Sequence, residues 1–518
     1  MVNLQDPADQ LLVEVKLVQD EIGAVTNTIT QQQERLQLLQ ERHRYLTSPL
    51  RKFTGEILGR IFKATLELYS GRRYAKKTLL SLCLVCKAWR AAAYATDTLW
   101  TPLEIDIDTR MTPQAYQRAV LWLSRSLRSS RRLVIKTACL PEEFHHPHRC
   151  GLADPLVAKL LTEGLKLGHL SLKCRFTECL GYLIDLLEQN KPKGPQPWRL
   201  LESLALTFAH RRGQDYFDID PILLRLPQVE TFELRLPPQC KVDAIGELTI
   251  PTNFFAHLTA LTLACDLNQA TPLTILAACV NLETLTVDML ATDSDTFVQF
   301  AKKGKKSVCL PKVHTLRLRR LHPRNVDILD VFYLPSLYEL DVNMQMKHVA
   351  VSSCDGRLTI PHAFYDLVAN LSIQHQAYLE RLRIRGAIVP SEEWHLFSEF
   401  LGNMSHLTHL TVDGVDFSSA VFQELSSPSS YALGHLEVLE LLQLPLTFSP
   451  LMVYAFIERR QQTTFCGGPD PLKQVVLAYR KEQGGSYLQV MDGVRREFRE
   501  KYAVDVSLTT ETWQAECP

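Results

Sequence analysis

Residues 201–206 read Leu-Glu-Ser-Leu-Ala-Leu, and this L-x-x-L-x-L spacing of apolar residues returns along the rest of the chain. It occurs ten times up to residue 477, with the middle apolar residue at positions 204, 232, 261, 285, 316, 340, 382, 410, 439 and 475. The average interval of about 30 residues is long enough for a strand, a helix and their connections. One such unit cannot bury its apolar residues alone, so we predict that successive units stack side by side.

The spacing resembles that of leucine-rich repeat proteins and predicts an α/β solenoid with a curved parallel sheet over residues 104–480. The Asn or Cys that usually follows the third leucine is mostly missing, so we expect an irregular solenoid. Ten units in succession favour this architecture over another α/β fold. Further strands are predicted at Leu103–Ile107, Leu133–Ile135 and Leu170–Leu172, and helical patterns lie at Pro113–Leu127 and Asp293–Lys302.

Two segments depart from the repeat. The interval between residues 340 and 382 is longer than the others, which indicates an insertion within residues 344–372. After the last unit, residues 481–518 form a terminal segment and tail, in which the apolar spacing from Tyr487 to Tyr502 predicts a helix. We expect this helix to cap the solenoid, because a terminal repeat must cover the apolar face that no further unit covers.

The amino-terminal segment carries a heptad. Alternate steps of four and three run through residues 11, 15, 18, 22, 25, 29, 32, 36, 39, 43 and 46, and all except Gln32 and His43 are apolar. This pattern predicts a coiled-coil helix over residues 8–46, with Gln32 as a polar position that can fix the register. Two arrangements fit it: a homodimer formed through the coiled coil, or a single amphipathic helix folded back on the main body.

Residues 47–103 predict a small helical domain. Pro49 ends the heptad, and a helical pattern follows over residues 56–66. A basic loop at residues 71–77 separates this pattern from a second helix, which is expected to run through Trp89. The apolar positions suit a three-helix unit of about fifty residues, which is close to the smallest size that can form its own core.

The sequence of this domain resembles an F-box. Its opening, residues 48–62, reads SPLRKFTGEILGRIF, and residues 82–90 read LCLVCKAWR. Together with the preceding coiled coil, these motifs resemble the F-box-like proteins that are abundant in mushroom-forming fungi. Where that family usually has Leu-Pro, with a proline that starts the helix and touches the adaptor, this chain has Phe53-Thr54.

The resemblance implies the substrate-recognition subunit of an SCF-type cullin ubiquitin ligase. In such a complex the F-box docks a Skp adaptor, and through it a cullin, while the solenoid binds a target protein. The residues that match the family's adaptor-contact motif are Pro49, Leu50, Ile57, Leu58, Ile61, Phe62, Leu82, Val85, Cys86 and Trp89. Of these, Phe62 and Trp89 are also candidates for the core of the unit. The alternative is a non-ligase scaffold that assembles partners through the coiled coil and the solenoid.

The charged residues of three successive strands predict a partner-binding surface. Side chains alternate between the two sides of a strand, so the residues between buried leucines face the other way. The outward residues of these strands include Arg317, Arg319, Asp341, Arg383 and Arg385. Arginine binds carboxylates and phosphates through paired hydrogen bonds, which suits a charged partner. The alternative is that these opposite charges pair with one another across the strands.

The sequence predicts neither catalysis nor a cofactor. The common nucleotide-binding, hydrolase and metalloprotease motifs are absent. His145, His146, His148 and Cys150 are metal-ligand residue types, but they are too close in sequence to surround one ion, so we expect no metal there. Cys83 and Cys86 form a single CxxC pair on a helix, which we interpret as core packing.

Composition indicates a protein-binding chain of the cytoplasm or the nucleus. The 57 basic residues balance the 57 acidic residues, which argues against a nucleic-acid partner. No signal peptide is visible before the heptad, and no apolar run is long enough for us to expect a transmembrane helix. The 13 cysteines are scattered along the chain, as reduced thiols would be.

Overall fold

The structure is a computed structural model that divides the chain into two compact units, Met1–Trp100 and Thr101–Pro518. The division lies shortly before the boundary predicted after residue 103, because the first strand of the second unit already begins at Leu103. The residues that the structure describes are 7–47, 53–68, 72–108, 110–126, 130–138, 149–190, 196–209, 220–236, 252–265, 275–289, 308–321, 328–329, 331–344, 379–387, 389, 394–426, 433–445, 448–464, 472–480, 499 and 505–511.

In the first unit, one long helix, α1 (Pro7–Thr47), accounts for the predicted coiled-coil segment. Every side chain described along it, from residue 11 to residue 44, is exposed. The apolar seam of α1 is therefore exposed along the residues whose side chains the structure describes.

Three shorter helices follow, α2 (Gly55–Glu67), α3 (Arg72–Val85) and α4 (Lys87–Ala95), as predicted for a three-helix unit. The prediction of one helix through Trp89 is wrong, because Cys86 breaks it with an extended backbone (φ −159°, ψ 172°). The Cys86 Sγ accepts a hydrogen bond from the Trp89 amide at 3.5 Å and so caps α4. Cys83 is buried as expected, whereas Cys86 is exposed, which corrects its interpretation as a core residue.

The helices of this unit pack closely around an aromatic core. The Phe62 ring lies 5.1 Å from the Trp89 ring, and the Trp100 indole N–H donates to the Ala93 carbonyl at 2.8 Å. Gly59 is buried where α2 faces the end of α4, and a Cβ there would lie 2.3 Å from the Thr96 Oγ1. Only glycine permits this approach, so Gly59 sets the separation between the two helices.

In the second unit, fourteen parallel strands form one sheet whose order follows the sequence. All thirteen strands predicted from the apolar spacing are present. The strands are β1 (Leu103–Ile107), β2 (Arg132–Thr137), β3 (His169–Cys174), β4 (Ser203–Phe208), β5 (Thr231–Arg235), β6 (Ala260–Cys265), β7 (Thr284–Met289), β9 (Thr315–Leu321), β11 (Glu339–Met344), β12 (Arg381–Arg385), β13 (His409–Asp413), β14 (Val438–Leu444), β15 (Gln474–Arg480) and β16 (Asp505–Glu511), while β8 (Val308–Cys309) and β10 (Phe332–Tyr333) form a small sheet of their own.

The strand register explains the repeat. Leu204 pairs with Phe232 and Leu206 with Leu234, and the corresponding residues align in the same way from strand to strand. The last two apolar positions of the motif therefore form two continuous buried columns. The helices that follow the strands are α5 (Pro113–Ser124), α6 (Pro155–Thr162), α7 (Thr177–Gln189), α8 (Asp220–Leu223), α9 (Thr252–Ala256), α10 (Trp394–Gly402), α11 (Ala420–Leu425) and α12 (Pro450–Thr464).

Local sequence starts several of these helices. Thr112 caps α5 by accepting the Ala115 amide at 3.2 Å, and a proline follows at the first helical position. Asp154 caps α6 by accepting the Leu156 amide at 2.8 Å, and its second oxygen accepts the Met111 amide at 3.0 Å. Because Asp154 is buried, this one carboxylate also joins two repeats.

The carboxyl-terminal end differs from the prediction. The sheet does not end at residue 480, because β16 pairs in parallel with β15 along its full length. The predicted helix at residues 487–502 lies outside the described residues except for residue 499, as do the helical pattern at 293–302, the insertion beyond residue 344 and the three histidines of the cluster. Among the helices that the structure describes, none combines the length and the apolar character needed to cross a membrane.

Candidate functional site

The residues matching the adaptor motif separate into a core set and a surface set. Leu58 and Phe62 are 4% and 1% exposed, so they hold the three-helix unit together and are not available to a partner in this conformation. Ile57, Ile61 and Val85 are 43%, 41% and 59% exposed. Cys86 is also exposed, Leu82 and Trp89 are half-buried, and Pro49 and Leu50 lie outside the described residues.

Ile57 and Ile61 are one turn apart on α2 and therefore share a helix face. The unit exposes further large apolar residues that the motif did not single out, namely Phe53, Leu68, Leu80 and Leu84. The surrounding sequence does not show that these residues are exposed, because leucines occur on both faces of the short amphipathic helices of this unit. When a small domain exposes this many large apolar side chains, its surface has a composition that is typical of binding sites.

Thr54 performs the structural task of the missing proline. Its Oγ1 accepts the Ile57 amide at 3.4 Å, and its carbonyl oxygen accepts the Leu58 amide at 3.1 Å. The backbone of Thr54 (φ −65°, ψ 157°) also has the φ value that proline imposes. The departure at Phe53-Thr54 therefore leaves the start of α2 intact.

The second surface is one side of the large sheet, which we call the open face. It carries the side chains of the residues that lie between the two buried columns. The register brings Arg317, Asp341 and Arg383 into one row across β9, β11 and β12. Arg385 lies in the next row, opposite Asn343. Strands β9, β11 and β12 together hold six arginines and two carboxylates. The sequence prediction that these residues share one face of neighbouring strands is therefore correct.

Most of these arginines are paired. Arg317 lies 3.5 Å from Glu339, Arg385 lies 2.6 Å from Asp341, and Arg383 reaches Asp413 on the next strand at 3.0 Å. These ion pairs are half-buried, with the side chains of Arg383 and Arg385 41% and 29% exposed. In the structure, these charges of the open face thus pair across the strands, as the alternative interpretation predicted.

The pairing leaves part of the hydrogen-bonding capacity unused. On β11 and β12, as far as the structure describes their surroundings, three buried atoms have no hydrogen-bond partner: the Oδ1 of Asp341 and the Nε atoms of Arg383 and Arg385. Arg319 is exposed. The paired carboxylates hold the guanidinium groups in place, and the Nε–H groups of Arg383 and Arg385 find no acceptor among the described residues.

Two acidic residues at the edge of the open face were not predicted from the sequence. Each accepts a hydrogen bond from a side chain of the next strand in the sheet. Asp288 and Asp413 lie at the ends of β7 and β13, and each is buried. Asp288 accepts from Arg320 at 2.6 Å, and Asp413 accepts from Gln443 at 2.8 Å. The signal was present in the sequence, because both residues end an identical Leu-Thr-Val-Asp tetrapeptide, at 285–288 and 410–413.

The two donors share an uncommon backbone conformation. Arg320 and Gln443 have φ values of 53° and 54°, and Gly386 and Gly414 occupy the same left-handed region just after β12 and β13. The register of the sheet shifts at both non-glycine positions, so each is an extra residue in its strand. The left-handed bend aims the two side chains back at the carboxylates of the preceding sheet strand.

His409 is a titratable group of the open face with an altered proton affinity. It begins β13, and partial burial together with the nearby positive charge of Arg381 lowers its pKa below the usual value of 6.5. Thr408 Oγ1 lies 2.8 Å from the His409 Nδ1. No group of histidine, cysteine or acidic side chains suited to a metal ion occurs among the described residues.

No protein-family model matches the chain, and no curated protein matches it. Among solved structures, an internalin from Listeria monocytogenes shares 13% identity over 81% of this chain and 90% of its own, with a TM-score of 0.29. A Bacteroides fragilis protein shares 12% identity over 67% and 74% of the two chains, with a TM-score of 0.32. A chain of the Toll–Spätzle complex of Drosophila shares 15% identity over 68% of this chain, with a TM-score of 0.27, and this chain spans 44% of its length.

The fold assignment therefore rests on the geometry described above. Fourteen parallel strands in sequence order, two continuous apolar columns and helices in the connections define an irregular leucine-rich repeat solenoid of the α/β class. Solenoids of this kind present an extended surface for binding other proteins. The open face and the three-helix unit are the two candidate interaction surfaces of this chain.

Proposed function

We propose that the chain is a substrate receptor that bridges two proteins, in the manner of the SCF-type ligase subunits whose F-box it resembles. The three-helix unit would dock a Skp-type adaptor, and through it a cullin, while the open face holds the target. The observation that carries this proposal is the exposure of Ile57, Ile61 and Val85 on a unit whose remaining motif residues form its core. The chain itself would contribute proximity rather than chemistry, and the complex would work in the cytoplasm or the nucleus.

The target site is proposed at Arg317, Arg319, Arg383 and Arg385, with Asp341 as the carboxylate that orients Arg385. The side chains of Arg383 and Arg385 are partly exposed, and their guanidinium groups suit an acidic segment of the target protein. Because Arg317, Arg383 and Arg385 are already held by carboxylates, little of their side-chain entropy is lost when a partner binds. The balanced total charge of the chain is consistent with this local binding surface, and with the proposal that neither nucleic acid nor a membrane is a partner.

The test is adaptor capture by the full-length chain. We expect wild-type protein to bind a purified Skp-type adaptor, and Ile57→Glu/Ile61→Glu to weaken that binding about 30-fold or more, because each buried aliphatic side chain contributes about 1–2 kcal/mol. Leu121→Glu is the matched control, since Leu121 on α5 is 60% exposed and lies in the other unit. Circular dichroism of each variant verifies folding.

Failure of the wild-type chain to bind the adaptor would exclude the ligase role. The scaffold alternative is favoured by Phe53-Thr54, which removes the proline that meets the adaptor in the family. The variant Phe53→Leu/Thr54→Pro separates the two proposals, because the Thr54 backbone already has the φ value that proline imposes. A gain of adaptor binding in this variant alone would identify the natural chain as a scaffold.

A further inference from the structure

The seam of α1 is long, apolar and in contact with solvent. Its heptad residues Leu11, Val15, Val18, Ile22, Val25, Ile29, Leu36 and Leu39 are 50–63% exposed. The middle of the helix holds Gly23 and a run rich in β-branched residues at 25–30, which are poor helix formers. Intrinsic propensity therefore does not account for an uninterrupted helix from Pro7 to Thr47, and packing against a partner would.

The polar side chains in the middle of α1 do not oppose such packing. The hydroxyl groups of Thr26, Thr28 and Thr30 donate to the carbonyl oxygens four residues earlier, at 2.7, 2.9 and 3.0 Å. Thr26 and Thr28 flank the seam, so their methyl groups remain available to a neighbouring helix. These methyl groups widen the apolar seam at its centre, while the hydroxyl groups of the same residues remain hydrogen-bonded.

The charges beside the seam indicate what the partner is. With residues 15, 22, 29, 36 and 43 at heptad position a, the g positions are Glu14, Glu21, Thr28, Arg35 and Arg42. The e positions described in the structure carry no charge, being Leu12, Gln19, Thr26, Gln33 and Gln40. The flank of α1 is therefore acidic in its first half, neutral at Thr28 and basic in its second half.

This distribution is complementary to itself when reversed. In a parallel pair, position g of one helix faces position e of the other. Each charged residue at position g would then face an uncharged residue. In an antiparallel pair, position g faces position g. A two-fold axis at Thr28 then brings Glu14 beside Arg42 of the partner subunit and Glu21 beside Arg35 of the partner subunit, each pair occurring twice.

The sizes of the seam residues agree with the same register. An antiparallel pair places Val15 opposite Leu39 of the partner subunit, Val18 opposite Leu36 of the partner subunit, and Val25 opposite Ile29 of the partner subunit. Each layer then combines a smaller residue with a larger one, which keeps the layer volume even along the seam. Gln32 meets Ile22 of the partner subunit, a polar layer that lowers stability and fixes the register.

We propose that α1 mediates an antiparallel homodimer, with a two-fold axis at Thr28 and four Glu–Arg pairs along the flank on which the g positions of the two helices meet. Full-length chain should therefore sediment at twice its monomer mass in analytical ultracentrifugation. This proposal does not depend on adaptor docking, since α1 and the exposed residues of α2 are separate surfaces. A monomer at micromolar concentration, or a dimer that persists after residues 7–47 are deleted, would overturn it.

The orientation has its own test in the variant Val15→Cys/Leu39→Cys, oxidised as the full-length protein. Mass spectrometry of the linked peptides distinguishes the new cysteines from the native ones. An antiparallel dimer gives an intermolecular link between positions 15 and 39, whereas a parallel dimer links 15 to 15 and 39 to 39. The parallel pattern would refute the proposed axis.

Charge exchange tests the pairing. In Glu14→Arg/Glu21→Arg every charged g position becomes basic, and we expect dimerisation to weaken about tenfold or more at low salt, because four attractions become repulsions. Adding Arg35→Glu/Arg42→Glu to the same chain should restore the wild-type dissociation constant. The matched control is Lys16→Glu/Asp20→Arg, which changes charges away from the interface. An unchanged dissociation constant in the first variant, or failure of the quadruple variant to recover, would contradict the pairing.

Discussion

Arg460 should be a sensitive side chain in the carboxyl-terminal half of the solenoid. It lies on α12, is 4% exposed, and donates to three backbone carbonyl oxygens of the turn that leads into β14. The distances are 2.5 Å to Leu433, 2.8 Å to Gly434 and 3.0 Å to Leu436. Leu433 has a φ of 59°, so the arginine also holds a residue in a conformation that is unfavourable for leucine.

Replacing Arg460 by methionine keeps most of the aliphatic stem and removes all three donors. A hydrogen bond involving a charged group contributes about 1.5–3 kcal/mol, and a buried acceptor left without a partner costs about 1–3 kcal/mol. These contributions overlap because one guanidinium group makes all three bonds. We therefore expect a loss of about 3–5 kcal/mol in the free energy of opening the segment around β14.

Hydrogen–deuterium exchange measures this quantity locally, which matters because a repeat array need not unfold in one step. A loss of about 3–5 kcal/mol corresponds to exchange of the β14 amides that is faster by about 100-fold to several thousand-fold. The control is Arg459→Met, because Arg459 is the exposed neighbour on the same helix. Acceleration of less than tenfold in Arg460→Met, or an equal effect in both variants, would refute the structural role of the three hydrogen bonds.

Two further predictions concern the open face. Gln443 has a positive φ, so Gln443→Gly should be more stable than Gln443→Ala by about 1 kcal/mol, although both lose the hydrogen bond to Asp413. Urea denaturation of the two variants checks this, and an equal or greater stability of the alanine variant would show that the left-handed bend carries no strain. His409 has a lowered pKa in the folded chain, so the unfolded chain binds its proton more readily between that pKa and 6.5. Stability should therefore fall as the pH drops below about 6.5, and His409→Gln should lose part of this dependence in denaturation at pH 7.5 and 5.5; identical pH profiles would contradict it.

The strands of the solenoid were predictable because their signal is local. The residues of each L-x-x-L-x-L motif point into the same core, so the spacing of a single repeat already identifies the strand. β16 was not predicted because the residue three positions before Val506 is Ala503 rather than a larger apolar residue. Its pairing with β15 depends on the neighbouring strand, which the spacing within one segment does not reveal.

The two candidate interaction surfaces were predictable only in part. A helical pattern identifies apolar residues but not which of them face a core, so Ile57 and Leu58 looked equivalent although one is exposed and the other buried. The break at Cys86 was missed because cysteine is an unusual capping residue. On the open face, alternation correctly placed the arginines, whereas their partners depend on long side chains that reach adjacent strands. Asp413, the partner of Arg383, lies thirty positions later in the sequence.

The direct pairing of β11 with β12 has a consequence for how this protein can vary. These strands are neighbours in the sheet, with every residue of β12 in register, although residues 345–380 separate them in the sequence. The pairing of two neighbouring strands therefore does not depend on the length of the chain segment that connects them. Insertions or deletions within such a connection can accumulate while the arginine rows on either side keep their spacing. A chain built in this way can change its peripheral segments and keep the arrangement of side chains on its open face.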